Sequence, residues 1–183
     1  MFAYNTAMWL YERAVSVAAL RNPKARQWRD GRRNIFKRLK ESVGSAENIV
    51  WVHCASLGEF EQGRPIIERL KEERPNIRIL LTFFSPSGYE VRKNYEGADV
   101  ICYLPFDTPL NARRFVRLAN VKMAFFVKYE FWPNYIGALY RNDIPVYSVS
   151  SIFRPDQIFF RWYGKSYAKC LHKITHFFVQ NDA

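Results

Sequence analysis

Residues 49–65 read IVWVHCASLGEFEQGRP, and this stretch decides the fold. Ile49 to His53 is a short, mostly apolar run, the pattern of a strand buried on both faces. It breaks at Ala55-Ser56-Leu57-Gly58, and a helix opens with a carboxylate, Glu59. A strand that hands over to a helix through small residues places a turn at the carboxyl edge of an α/β sheet. There the unpaired N–H groups of the helix face a ligand. Glu59 is therefore read as a catalytic base held on that edge. A plainer role competes with it. Ser56-Leu57-Gly58-Glu59 also fits the S-x-x-E capping box, in which Glu59 bonds back to the Ser56 N–H. A helix N-terminus lowers a carboxyl's pKa, whereas a working base needs burial to raise it toward neutrality. A Glu59 buried beside a groove favours catalysis, and one spent on its own helix favours capping.

Outward from this stretch the chain alternates strand and helix. Strands are predicted at 49–53, 77–83, 99–104, 122–127, 145–150 and 174–179, and helices at 59–73, 87–95, 109–118, 133–141 and 163–172. That alternation reads as an α/β fold, a parallel sheet with helices on both faces. Three strand-end connections carry turn chemistry: Ser85-Pro86-Ser87-Gly88, Pro105-Phe106-Asp107-Thr108-Pro109 and Trp132-Pro133-Asn134. Asp107 or Thr108 is placed to start a helix with Pro109 at its first position. Residues 151–162, SIFRPDQIFFRW, show no period and read as a long aromatic loop.

The first 20 residues, MFAYNTAMWLYERAVSVAAL, form an amphipathic helix interrupted by Glu12 and Arg13, so no charge-free run is long enough to span a bilayer. Asn5, Glu12 and Ser16 make a polar stripe; Phe2, Met8, Trp9, Tyr11, Val15 and Leu20 make a wide apolar face. Such a helix either packs on its own domain or lies in a membrane interface. The next segment favours the interface: residues 21–40 hold nine Lys or Arg against one acid, Asp30. Anionic headgroups attract such a run, and Trp28 and Phe36 within it are expected at the headgroup level. The chain thus divides into residues 1–40, an amphipathic helix plus a basic membrane-proximal segment, and residues 41–183, the α/β domain.

A length of 183 residues fits one domain or one domain with an appendage, and 49% apolar with 17% aromatic residues fills a sizeable core. A net charge of +11 implies an anionic partner. Cys54, Cys102 and Cys170 are far apart and odd in number, and read as small core residues in a reducing compartment. No small-residue cleavage site follows an apolar core, so no secretory signal is expected. A nucleic-acid role for the basic run has no motif behind it. Neither HExxH nor a CxxC pair is present, and Cys170, His172 and His176 make a poor metal set. The lack of GxGxxG and Walker loops argues against a nucleotide bound to this half.

A second carboxylate, Glu130, follows the fourth strand in Lys128-Tyr129-Glu130-Phe131-Trp132-Pro133-Asn134. This is a strand-to-helix turn in its own right. It also sets Glu130 on the same sheet edge as Glu59, where two carboxylates can share an acid–base and electrostatic task.

Four segments, HCASLGEFEQGRPIIERL, LLTFFSPSGYE, CYLPFDTPLNARRFV and YEFWPNYI, taken in this order and at these spacings, resemble the 3-deoxy-D-manno-octulosonic acid (Kdo) transferases of the lipopolysaccharide inner core. The resemblance implies the first half of a two-domain GT-B glycosyltransferase, a Rossmann-like parallel sheet with helices on both faces preceded by an N-terminal amphipathic helix. This half is the acceptor-binding one, and the C-terminal donor domain is absent from residues 1–183. It implies CMP-Kdo as donor, bound mainly by that other domain, and a lipid A precursor as acceptor. It further implies no cofactor or metal, and a peripheral or monotopic place on the cytoplasmic face of the bacterial inner membrane. By matching motif, Glu59 is the general base and Glu130 assists the transition state. Ser56 and Gly58 shape the turn, with Ser87, Gly88, Trp132 and Asn134 as further substrate-binding positions. Lys128-Tyr129 stands where the family commonly has a Thr-Glu-type approach. Ser150-Ser151-Ile152 stands where it often has Asn-Ala-Arg, with Arg154 two positions later to take over the arginine's role; Lys128 and Arg154 are both carried as substrate-binding positions. The expected reaction is inverting transfer of Kdo, with the half-molecule inactive alone. The rival expectations are a peripheral membrane-binding domain without chemistry and a GT-B transferase with another sugar donor.

Overall fold

The computed structural model describes residues 1–45, 47–155, 157–161 and 164–180. Helices α1 (Phe2–Ala18), α2 (Pro23–Asp30) and α3 (Ile35–Val43) come first. Then β1 (Ile49–Cys54), α4 (Leu57–Glu73), β2 (Arg78–Phe83), α5 (Pro86–Arg92), β3 (Val100–Tyr103) and α6 (Pro109–Ala119) follow. The chain continues through β4 (Val121–Val127), α7 (Pro133–Tyr140), β5 (Val146–Ser151), α8 (Lys165–Ala168) and β6 (His176–Val179). All six strands form one parallel sheet in the order β3-β2-β1-β4-β5-β6. The predicted strands all form, with ends within one or two residues of expectation.

Burial on both faces explains the apolar strands. Along β1, Ile49 and Trp51 face one core with Leu80, Phe126 and side chains of α3, α6 and α7. Val50, Val52 and Cys54 face the other with Phe60 and Ile67 of α4. α3 belongs to the first core through Ile35, Leu39 and Val43, so the segment before residue 41 contributes to the same packing as the sheet. α4 lies close against the sheet because Gly63 has no side chain: a Cβ there would stand 3.0 Å from Val127 Cγ2 and 3.2 Å from Cys54 Sγ. All three cysteines are buried and unpaired.

Helix ends follow their sequence signals, with one exchange. Thr108 caps α6, its hydroxyl accepting the Asn111 N–H at 3.2 Å, and Pro109 takes the first position. Asp107 instead reaches across to α7, accepting the N–H of Asn134 at 3.1 Å and of Tyr135 at 3.0 Å. Tyr4 of α1 donates its hydroxyl to the same carboxylate at 2.8 Å. Burial pushes the Asp107 carboxyl up to about 6, against the pull of these donors.

Two expectations fail. The helix predicted at 163–172 is the four-residue α8, set between 3₁₀ turns at Ile158–Phe160 and Leu171–Lys173; its first residue, Tyr163, lies outside the described residues. Tyr167 is pinned here by its hydroxyl to the Phe131 carbonyl at 2.5 Å and by stacking on Phe159, which fixes the segment through side chains rather than a long helix. Asp156 and Trp162 of the aromatic loop, and Asn181, Asp182 and Ala183 at the end, also lie outside the described residues. The loop's Phe153 and Phe159 pack on Phe131. Second, Trp28 is not at the surface. It is buried, edge-on to Phe84, Phe106 and Tyr11.

Arg32 stitches this aromatic cluster to the sheet edge. Its guanidinium donates to the carbonyls of Leu104 (2.9 Å), Trp28 (3.0 Å) and Phe84 (2.7 Å) and lies over the rings of Trp28, Phe84, Tyr103 and Phe106. Removing it leaves three carbonyls short of a charged donor and hollows the cage. Arg32→Ala is expected to cost about 3 kcal/mol or more, read as a lowered midpoint in urea unfolding; an unchanged midpoint refutes the assignment.

Candidate active site

In the observed strand order the chain returns across β1: β2 and β3 lie on one side, β4 to β6 on the other. The crevice between the carboxyl ends of β1 and β4 is the switch point at which such sheets bind ligands. Glu59 follows β1 and Glu130 follows β4, so both stand at that crevice.

Glu59 does two things at once. Its Oε2 accepts the N–H of Ala55 at 2.5 Å and of Ser56 at 3.3 Å, the carboxylate half of the capping box. Among the described residues its Oε1 receives no hydrogen bond. Burial, helped by the charge of Glu130, raises the Glu59 carboxyl to about 7 against the opposing pull of the two N–H groups and Lys128. The cap alone lowers such a carboxyl, so the desolvation and the neighbouring acid outweigh it. The two rival roles therefore do not exclude each other: one oxygen closes the helix and the other is left over.

Glu130 sits between regular elements. Its Oε2 accepts the indole N–H of Trp132 at 2.8 Å and lies 3.4 Å from Nε2 of His53. The Trp132 N–H is shared with His53 Nε2 at 3.1 Å. Behind them Nδ1 of His53 meets Oγ1 of Thr82 at 2.8 Å, and Trp51 donates its indole N–H to that same oxygen at 2.8 Å. Lys128, the residue after β4, takes a left-handed backbone (φ 60°), with its N–H held by the Val149 carbonyl at 2.8 Å. Strain of this kind collects at functional turns.

The remaining positions divide. Ser56 begins α4, and Gly58 beside Glu59 is exposed, with open space where a Cβ would be. Gly88 is buried by necessity, since a Cβ would stand 2.3 Å from the Phe83 ring and 3.1 Å from the Ser56 carbonyl carbon. Ser87 is exposed, 2.8 Å from the Ser85 hydroxyl, and lines a 530 Å³ groove with Tyr11, Trp28, Phe84 and Val91. Trp132 joins that groove to the site by packing on Phe84 (4.7 Å). Asn134 is turned to Asp107 and Asn5, its amide donating to the Asp107 carbonyl (2.8 Å) and Asn5 Oδ1 (2.9 Å). Arg154 is exposed, with no ion pair among the described residues. Four cavities of 430–880 Å³ on the described surface have neither glutamate in their lining. His53, Thr82 and Asp107 are the residues that sequence reasoning passed over. The available signal was polar side chains, His53 and Thr82, in register on neighbouring buried strands.

The family model described as "3-Deoxy-D-manno-octulosonic-acid transferase (kdotransferase)" matches residues 30–183. The "3-deoxy-D-manno-octulosonic acid transferase" of Aquifex aeolicus is 42% identical over 105 residues, covering 56% of this chain and 29% of the relative. That of Haemophilus influenzae is 30% identical over 139 residues, covering 72% of this chain and 30% of the relative. A "Probable 3-deoxy-D-manno-octulosonic acid transferase, mitochondrial" of Arabidopsis thaliana is 34% identical over 100 residues, covering 54% and 22%. The chain thus spans less than a third of the length of these relatives.

The raised Glu59 makes a signed prediction. A folded carboxyl that titrates at about 7, against an ordinary 4.5, favours the protonated folded state, so its stabilisation is lost as pH rises between those values. Glu59→Gln, neutral throughout, removes that slope. Its unfolding temperature should gain on the parent's from about pH 5 to about pH 8; parallel curves would show that Glu59 titrates as an exposed carboxyl.

Proposed function

The chain belongs to the 3-deoxy-D-manno-octulosonic-acid transferase (kdotransferase) family, and from that premise we propose that it forms the acceptor-binding half of a GT-B glycosyltransferase. The proposed reaction moves Kdo from CMP-Kdo onto a lipid A precursor with inversion. The supporting observation is the pair at the crevice: Glu59, raised to about 7 by burial and by Glu130, with one oxygen uncommitted.

In this reading the acceptor's primary hydroxyl gives its proton to Oε1 of Glu59. The freed oxygen pair forms the new bond to the anomeric carbon of Kdo from the face opposite the phosphate. The bond to CMP breaks, and CMP leaves with the electron pair. A base near pH 7 matches this work, since it is both ionised and basic enough to accept. Glu130, with its negative charge aimed by Trp132, favours the positive charge that develops at the sugar. Lys128 balances the two acids. Half-buried Ser56 and exposed Gly58 and Ser87 are assigned to the acceptor sugar, and Arg154 to an anionic group. Asn134 and Gly88 serve by holding the turns. The donor site and the second domain belong outside residues 1–183, and the half alone should not turn over. No metal enters this scheme.

The surface supports a peripheral membrane place. Among the described residues no helix is long and apolar enough to cross a bilayer. α1 instead turns Asn5 inward to Asn134 and leaves Phe2 (87%), Trp9, Leu10 and Val17 exposed, with Leu20 (69%) exposed in the turn that follows. Arg33, Lys37 and Arg114 line a 640 Å³ cavity beside it. An apolar helix face bordered by cations suits an anionic lipid surface better than nucleic acid. The rival reading, a membrane-binding domain without chemistry, draws on the capping role of Glu59 Oε2.

In the complete protein Glu59→Gln should lower transfer by about 10²–10⁴-fold with the fold intact; retained turnover removes Glu59 from the base role and favours the rival. EDTA should leave the rate unchanged, and a loss restored by a divalent ion overturns the metal-free scheme. Leu10→Glu with Leu20→Glu, both on the exposed face of the N-terminal segment, should weaken sedimentation with anionic phospholipid vesicles by about tenfold or more. Unaltered binding excludes α1 as the anchor.

A further inference from the structure

We infer that His53 is a positioning residue for the proposed transfer: its buried ring fixes the Trp132 indole and, through it, aims the Glu130 carboxylate at the crevice where Glu59 stands. This inference rests on the transferase reading for its catalytic consequence, and on the geometry alone for the placement.

His53 lies in the central strand and is 0% exposed. A polar ring in that position is costly unless its nitrogens are bonded. Both are. Nδ1 is 2.8 Å from Oγ1 of Thr82, the residue directly across in register on β2. Thr82 is itself fixed by the Trp51 indole N–H at 2.8 Å. Phe126 packs against the ring at 5.7 Å, edge to face. The inner side of the imidazole is therefore anchored by two strands, in a part of the sheet that cannot slide without breaking its ladder.

The outer side reaches the site. Nε2 accepts the Trp132 N–H at 3.1 Å, which puts the ring proton on Nδ1, toward Thr82. The same indole N–H goes to Oε2 of Glu130 at 2.8 Å, with Oε2 and Nε2 3.4 Å apart. Residues 128–132 belong to no strand or helix, since β4 ends at Val127 and α7 begins at Pro133. The turn carrying Glu130 therefore has no ladder of its own to aim the carboxylate. The line Trp51–Thr82–His53–Trp132–Glu130 supplies that rigidity from the core. The outward bond satisfies Nε2 and at the same time ties the buried ring to the turn that carries Glu130. Reacting groups must be held to within a fraction of an ångström, and this line does so for a side chain on a loop.

The test compares His53→Asn, whose short amide still reaches Thr82 but not Trp132, with His53→Gln, whose amide reaches the place of Nε2. In the chain of residues 1–183, hydrogen exchange of the Trp132 indole N–H is followed by NMR. The N–H, which keeps Glu130 as an acceptor, should exchange slowly in the parent, measurably faster in His53→Asn and slowly again in His53→Gln. In the complete protein, with CMP-Kdo and a lipid A precursor, His53→Asn should lower kcat about 10- to 100-fold with KM within about threefold, and His53→Gln should recover part of the loss. The acidic limb of kcat/KM should also move to lower pH in His53→Asn. Glu130, Lys128 and Cys54 are the titratable groups coupled to Glu59, and Glu130 is a cause of its raised value.

Unchanged indole exchange and unchanged kcat in His53→Asn overturn the inference. So does a kcat loss that His53→Gln does not relieve and that tracks lowered thermal stability, which marks a core role only. If His53→Asn does not fold, Trp132→Phe, which removes the indole N–H together with part of the ring that packs on Phe84, must lower kcat at unchanged KM; unaltered kcat refutes the inference. A complete parent protein that transfers no Kdo defeats the transferase reading instead, and the indole exchange then decides the placement by itself.

Discussion

Two acids are held at one partly desolvated crevice, and the rest of the structure is arranged around keeping them there. Like charges in a poorly solvated space repel, so the site stands only if the two turns are fixed independently. The parallel sheet does this through its strand order. Because the chain crosses back over β1 to begin β4, the turns after these strands become neighbours although Glu59 and Glu130 are far apart in sequence. Burial first, and the charge of Glu130 second, hold the Glu59 carboxyl above its ordinary value.

The two acids are fixed by different means. Glu59 is tied by its own helix: the N–H groups of Ala55 and Ser56 hold one oxygen, and Gly63 lets that helix lie against Val127 and Cys54. Glu130 is tied by side chains that reach it from the sheet interior through His53 and Trp132. A backbone cap tolerates changes of neighbouring side chains. A side-chain line does not, since every member is required. The site therefore combines one robust carboxylate with one that depends on particular partners.

The alternation of strand and helix was legible from the apolar runs, and so were the helix starts at Pro109 and Pro133, because these signals are local. Glu59 and Glu130 were legible as strand-end carboxylates, and their meeting followed from the parallel sheet. His53, Thr82 and Asp107 were not. Their significance lies in partners 29, 79 and 103 residues away, for Thr82, Trp132 and Tyr4 respectively, and no periodicity reports such pairs. Trp28 was misread for the same reason: a basic run looks like surface, yet Arg32 beside it supplies charge to buried carbonyls. The sequence at 163–172 has apolar residues at helical spacing, while in residues 164–172 aromatic contacts, not a backbone ladder, set the path.

The carboxylate of Asp107 joins three parts of the molecule that share little sequence. It receives the hydroxyl of Tyr4 from α1 and the first free N–H groups of α7, and it immediately precedes the capping residue of α6. An acid so enclosed cannot lose a donor without an unfavourable vacancy in its coordination. Lifting α1 away would strip Tyr4 from it and Asn5 from Asn134 in one event. The outermost helix and the Trp132-Pro133-Asn134 turn are thereby mechanically latched, and a pull on the first is transmitted to the base of the second.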